Sequence, residues 1–533
     1  MSRGIPLNEA LKNYRAKRGE AAALKETDAG ELLRRYHPDS SEESFTELRV
    51  GVNRGDKCHR QLAELLQADS VIDDADLAGA TVCETDVLVI GGGGAGCAAA
   101  LIAAERGARV ILATKLGFGV SNTVMAEGGL QASIEKDDSP QSHYEDTVKG
   151  GHNAADKRLV AQLAMDGPDV VRWLIKHGMH FDQNQFGDLL MRRAGGTTAD
   201  RVVYCGDYTG LEMMRVLRES VFNSNGKIRV MEYHPAVELL SNEEGHCAGA
   251  ALYSLDEKSY TLINARSVIL ATGGIGRLHL DDFPTSNHFG ATGDGLVLAY
   301  RIGARLRDLD TFQYHPTGIA YPSYLRGFLV TEGIRSAGTR ILNGLGERFV
   351  DELKSRDHVT AAILRECAEG RGVEIDENSL GVLLDTPSLE RETPGILENR
   401  FPKLYMRCKK RNLDPCSDPL LIYPTLHYQN GGVRIDEQCK TAIAGLYCAG
   451  EVSGGIHGRN RIMGNALLEI ISYGRRAGMS ATERIYGRGH KKISIEHVRR
   501  MRRELTHTGM SMEGKSPLLF PDVAHRKNNH EEG

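Results

Sequence analysis

Residues 85–115, TDVLVIGGGGAGCAAALIAAERGARVILATK, constrain the fold more than any other stretch. An apolar strand runs into a glycine turn, an Ala-rich helix and a second strand, which is one βαβ unit of about 30 residues. Gly91, Gly93 and Gly96 fill G-x-G-x-x-G, with Gly94 and Ala95 between them. The first glycine allows the turn, the second admits a pyrophosphate close to the backbone, and the third lets helix and strand pack. The helix N-terminus then faces the phosphates. The glycines alone are a weak signal; their place between strand and helix makes it specific. The second strand ends at Thr114 and Lys115, eighteen residues beyond Gly96. A carboxylate there would read the ribose of NAD. A hydroxyl holds it less strongly, which disfavours NAD and leaves FAD open.

The strand–glycine edge recurs. SVILATGGIG carries Ala271, Thr272 and Gly273, ATGDGLVLAYRIGA places Asp294 before a helix, and GLYCAGEV ends in Gly450 and Glu451. Four separated edges of this kind predict one large cofactor held across a discontinuous domain, residues 84–320 and 430–480. Residues 321–429 lose the glycine edges, read as mixed helix and loop, and are expected to form an inserted capping or substrate domain. Residues 1–83 read as a helical extension with narrow apolar stripes, either packed on the body or serving as a docking arm for a partner protein. Residues 481–533 read as a short basic tail whose end, HRKNNHEEG, is expected to fray. The fold class is therefore α/β: a Rossmann-type nucleotide-binding domain with an inserted α+β cap.

Composition narrows the partners. A net charge of −5 argues against nucleic acid. The ten cysteines form no CxxC pair, so the chain is expected to hold neither zinc nor an iron–sulfur cluster by itself. No apolar run approaches the roughly 18–20 residues that span a bilayer, and the first residues lack the apolar core of a signal peptide. A cytoplasmic protein is expected, with docking to a membrane-bound partner left open.

Four regions concentrate His, Arg, Thr and Glu beside glycines: FQYHPTG, LVTEGIRSAG, LKSRDHV, and PTLHYQNGG with IHGRNRIMGNALLE. Taken singly, His315 and His427 read equally as core histidines, and Arg356 beside Asp357 as a surface pair. Together, two arginines and two histidines suit a small dicarboxylate, because a guanidinium fork pairs a carboxylate bidentately.

The ordered set GGGGAG, SNT, ATGG, TGDG, QYHPTG, TEGIR, SRD, HYQNGG and HGRNRIMGNALL resembles the succinate dehydrogenase/fumarate reductase flavoprotein superfamily, which includes L-aspartate oxidase. The resemblance covers about residues 84–478. It implies FAD, with its pyrophosphate over residues 91–96 and Thr114 and Lys115 at the ribose. Ser121, Asn122, Thr123, Gly128 and Gly129 would pass the flavin ring. Asp294, Glu451, Asn465, Leu467 and Leu468 would complete the pocket. It further implies a dicarboxylate held by His315, Thr331, His427 and Arg461, with Arg356 as proton donor or acceptor and Glu332 and Arg335 as its relay. Members with S-H-T at residues 121–123 bond the histidine covalently to the flavin. Asn122 is an amide and no nucleophile, so FAD is expected to be non-covalent and the chemistry tilted toward double-bond reduction. An iron–sulfur or other electron-transfer subunit is the implied partner.

Three departures mark a divergent member. Ser336, Ala337, Gly338 and Thr339 replace the usual G-E-G-G, Arg459 replaces a small residue in HGRNR, and most of the family's C-terminal helical domain is expected to be missing. Two other readings stay in view. One is an L-aspartate oxidase, for which Glu135 is the carboxylate expected to meet a substrate ammonium. The other is a redox-inactive scaffold subunit that keeps FAD for structure.

Overall fold

The computed structural model describes residues 4–17, 24, 28–376, 379–485 and 489–520. The βαβ unit lies at the centre of a seven-stranded sheet. Thr81–Ile90 pairs in parallel with Val110–Ala113 on one side and Tyr260–Leu270 on the other. Ile228–Met231 extends the first side, and Leu446–Cys448 also runs parallel to Tyr260–Leu270. Two antiparallel strands, Cys247–Tyr253 and Ala236–Ser241, finish the far edge. The helix Gly94–Glu105 is buried almost throughout, and Asn465–Glu483 packs against it. A Cβ at Gly474 would stand 2.6 Å from the Ala95 carbonyl oxygen, so the glycine sets how closely the two helices cross.

A second sheet orders Ile5–Pro6, Val373–Asp376, Ser379–Leu384, Leu420–Gln429 and Phe312–Ile319, with Ile341–Leu342 on Ser379–Leu384. Residues 321–429 thus contribute four strands to a region whose sequence reads as helix and loop. Val382, Leu383, Leu384 and Ile422 are all buried, so these strands lack the alternation that announces a half-exposed sheet. The strand carrying His315 belongs to this sheet. The helix Arg356–Ala368 lies against it.

The N-terminal segment holds the expected helices, Leu7–Ala16, Ala29–Tyr36 and Arg60–Leu66, and also short strands. Ile5 and Pro6 pair in parallel with Val373 and Glu374. Tyr14 Oη donates to Asp385 Oδ1 at 2.7 Å, and Leu32 enters the core of the second sheet. Phe45, Leu48, Leu62 and Leu66 instead join the core of the nucleotide-binding sheet. Beyond Gly478 the chain is more than a tail, because Glu496–His507 packs on the helix Asp294–Ile302. HRKNNHEEG lies outside the described residues. No helix among those described is long and apolar enough to cross a membrane.

One buried carboxylate joins these parts. Glu238 Oε2 accepts from Arg301 Nη1 at 2.6 Å and from Ser70 Oγ at 2.8 Å, while His497 Nε2 lies 3.4 Å from Oε1. Burial alone would raise its pKa, but Arg301 and His497 hold it down at about 2. Its contribution is therefore present above the unfolded value of 4.5 and lost as pH falls toward about 2. Glu238→Ala leaves Arg301 buried without its carboxylate and is expected to cost about 3–5 kcal/mol at neutral pH, read by urea unfolding.

Candidate active site

A cleft of about 560 Å³ runs from the glycine turn to the second sheet. Its nucleotide arm is walled by Gly91, Gly93, Gly94, Ala95, Thr114 and Lys115, faced by Ala271, Thr272, Gly273 and Asp294. Gly91 has φ +117°, and a Cβ there would fall 2.1 Å from the Ala271 carbonyl oxygen. A Cβ on Gly96 would fall 1.8 Å from the Gly91 carbonyl oxygen, so Gly96 shapes the turn from behind without lining the cleft. Lys115 Nζ donates to Asp294 Oδ2 at 2.6 Å and to Thr292 Oγ1 at 2.8 Å. Ser121 Oγ and Thr272 Oγ1 are buried without partners in the protein. Orphaned hydroxyls beside a turn that admits no Cβ at Gly91 or Gly96 fit a nucleotide pyrophosphate and ribityl chain.

The middle of the cleft is formed by Ser121, Asn122, Thr123, Gly128, Gly129, Glu451 and Leu467. Asn122 opens a short helix, Asn122–Met125, in a stretch whose sequence reads as loop. Its Nδ2 donates to Asn287 Oδ1 at 2.7 Å, and its Oδ1 accepts from the His288 amide at 2.6 Å. The same Nδ2 lies 3.4 Å from Glu451 Oε2. Burial raises the Glu451 carboxyl to about 7, against the Gln429 amide, which donates to it at 3.0 Å. Asn465 and Leu468 do not face the cleft. Asn465 is buried beneath it, with Oδ1 2.8 Å from His143 Nε2 and Nδ2 donating to Thr147, and Leu468 belongs to the core.

At the far end stand His315, Thr331, Glu332, Arg356, His427 and Arg461. Thr331 caps the short helix Glu332–Ser336, and Arg356 opens the helix Arg356–Ala368. Arg356 Nε donates to Glu332 Oε2 at 2.7 Å and Nη1 to Gln313 Oε1 at 2.9 Å. Arg335 Nη2 is 3.1 Å from Glu332 Oε2, and the Gly195 amide donates to Oε1 at 2.8 Å. Arg335 lies behind Glu332, off the cleft wall. Burial pushes the Glu332 carboxyl up, but Arg356 and Arg335 bring it down to about 2. The His315 and His427 rings meet edge-on at 5.1 Å, and both are held well below the usual histidine range by burial, then by Arg356. Both imidazoles are therefore neutral at pH 7. Arg461 lies over the Tyr428 ring at 4.4 Å with its Nε buried and unpartnered. Burial and Arg356 lower it to about 10.

Four residues differ from expectation or carry no role legible in the sequence. Glu135 is exposed and away from the cleft, because residues 135–137 face solvent. Glu127 is buried in the cleft, 3.1 Å from Lys403 Nζ and 3.6 Å from Arg407 Nη1. Gln313, a neutral amide, also donates from Nε2 to the Arg461 carbonyl at 2.6 Å and so spans the two arginine-bearing segments. Arg459 points outward, 3.2 Å from Asp310 Oδ2. Among the described residues, no group of three or more His, Cys, Asp or Glu is arranged to hold a metal.

The family model described as an FAD-binding domain matches residues 86–467. The chain is 40% identical over 439 residues to a fumarate reductase (CoM/CoB) chain of Methanothermobacter marburgensis, covering 80% of this chain and 78% of the other. The chain belongs to the succinate dehydrogenase/fumarate reductase flavoprotein superfamily. This flavoprotein is also 35% identical over 452 residues to an L-aspartate oxidase of Streptomyces coelicolor, covering 82% and 74% of the two chains. Among solved structures, an E. coli quinol fumarate reductase superposes with a TM-score of 0.72 at 31% identity, over 80% of this chain and 74% of that one. The protein is an FAD-dependent oxidoreductase. Gly96→Ala pushes a methyl group into the pyrophosphate turn, and overpacking of this kind costs about 1–3 kcal/mol. FAD retention is expected to fall by roughly tenfold or more, measured as flavin absorbance per folded chain.

Proposed function

We propose that this flavoprotein reduces the double bond of a small dicarboxylate such as fumarate. The observation that carries the reading is Arg461, buried with an unpartnered Nε in the same cleft end as Arg356. Two guanidinium groups buried at one end of a cleft repel each other, and a dianion relieves the repulsion. Arg461, His315, His427 and the Thr331 hydroxyl supply donors to the two carboxylates. The two histidines act as neutral N–H donors, so their binding role carries no charge change near pH 7. Donors on one carboxylate stabilise the negative charge that builds as the double bond is reduced.

FAD, when bound and reduced, supplies the hydride. Arg356 gives a proton to the adjacent carbon. A free arginine is not deprotonated in proteins, so the loss is transient and answers only a strongly basic carbanion. Glu332 takes that role's other half: its ionised carboxylate, 2.7 Å from Arg356 Nε and 3.1 Å from Arg335 Nη2, accepts a proton through Arg335 and passes it to Arg356, and solvent reprotonates Arg335. Arg356→Ala is expected to lower fumarate turnover by about 10²–10⁴-fold with reduced viologen as donor, while leaving bound FAD intact. Retained activity removes Arg356 from this role.

Asn122 offers FAD no nucleophile, and the flavin is proposed to be non-covalent. Acid precipitation is expected to leave all yellow colour in the supernatant. A separate iron–sulfur or other electron-transfer subunit would deliver the electrons, since all ten cysteines of this chain are unpaired and dispersed. Those free thiols also suit the reducing cytoplasm. The aspartate oxidase reading has one observation in its favour: Glu127 gives the cleft a buried carboxylate, although Lys403 and Arg407 already engage it. Peroxide release from L-aspartate, with no oxidation of reduced viologen by fumarate, would select that reading.

A further inference from the structure

Outside the cleft, the loop after the helix Pro140–Gly150 touches both segments that bear its arginines. His152 and Asn153 have φ of 56° and 59°, two successive non-glycine residues in the left-handed region. That region costs L residues roughly 1–2 kcal/mol each, so the surroundings must hold it. On one flank the loop is pressed onto residues 458–460. The Arg459 amide donates to the Gly151 carbonyl at 3.1 Å, and Asn460 Nδ2 donates to the Gly150 carbonyl at 3.2 Å. A Cβ on Gly458 would stand 2.3 Å from that Gly151 oxygen. On the other flank His152 Nε2 lies 2.6 Å from Asp357 Oδ2, and Asp357 is the second residue of the helix that Arg356 opens. The Asp357 side chain is 8% exposed and that of His152 is 43% exposed.

We propose that His152 is a positioning residue. Its ion pair with Asp357 ties the start of the Arg356 helix to the loop carrying Arg461, and so sets the spacing of the two arginines that would grip the substrate. Gln313, buried beside the cleft, ties the same two segments a second time, through Arg356 Nη1 and the Arg461 carbonyl. The outer tie differs because it titrates. The hydrogen bond to Asp357 raises the His152 pKa, opposed by burial and by Arg459. Asp357 is lowered although burial opposes it, because His152, Ser355 and His37 favour its charged form. His37, on the N-terminal side, is neutral because burial takes it down to about 4. Arg459 is engaged by Asp310. The charged clasp is therefore complete below the raised His152 pKa and weakens as pH rises through it, leaving a neutral hydrogen bond.

The proposal rests on the dicarboxylate reading, and its test separates the two. The FAD-loaded protein, its His152→Gln variant and its Asp357→Asn variant are compared from pH 5 to 9. In the wild type, exchange protection of the first-turn amides, residues 357–360, corrected for intrinsic rate, is expected to fall about two- to fivefold across the His152 titration. The dissociation constant of fumarate, read from flavin absorbance, is expected to rise by the same factor. His152→Gln flattens both profiles, and Asp357→Asn returns the His152 imidazole, followed by NMR, toward 6.5. If the amide step appears and no dicarboxylate binds, the clasp stands and the substrate assignment falls. Identical amide profiles in wild type and His152→Gln, or a His152 titration untouched by Asp357→Asn, overturn the clasp.

Discussion

Glu332, itself buried, accepts from Arg356 Nε and from the Gly195 amide, with Arg335 at 3.1 Å. Removing that carboxylate would leave the Arg356 guanidinium buried with its charge uncompensated, which is costly. Because Glu332 sits in the first turn of a short helix capped by Thr331, the backbone fixes it before any ligand arrives. Arg356 then points from its own helix N-terminus into the cleft, where a backbone position of partial positive charge does nothing to hold a cation. Glu332 and Gln313 do that holding. The placing of Arg356 at this end of the cleft follows from this one carboxylate.

The nucleotide arm obeys a different constraint. There, backbone approaches of about 2 Å to an imagined Cβ decide which positions remain glycine, and polar side chains are left without protein partners. Asn122 links the two arms. Through Asn287 and the adjacent His288 amide, and through Glu451, it knits two separate loops to its own segment in the middle of the cleft. An amide does this with one donor face and one acceptor face.

Local patterns made much of this legible. The βαβ unit and the glycine edges are short-range features, so residues 85–115 and the strands ending near Ala271 and Glu451 read correctly as a nucleotide-binding fold. The strand Ser379–Leu384 did not, because burial on both faces of its second half erases period-two alternation. The candidate cofactor- and substrate-site residues surround one cleft, apart from Gly96, Arg335, Asn465 and Leu468, which lie behind its wall. Glu127 carried no sequence signal because Lys403 and Arg407 lie far along the chain. Glu135 drew attention through its charge, yet sits in an exposed turn. Gln313 and His152 act through long-range contacts that no spacing reveals.

The strand Ile5–Pro6 is synthesised well ahead of its partner, Val373–Asp376, which follows more than 360 residues later. Until that partner arrives, the earlier segment has no sheet to join and must stay open or be shielded. Such a distant pairing is slow to close. The order of translation therefore makes docking of residues 5 and 6 a late step of maturation, after the nucleotide-binding sheet has its central strands in hand.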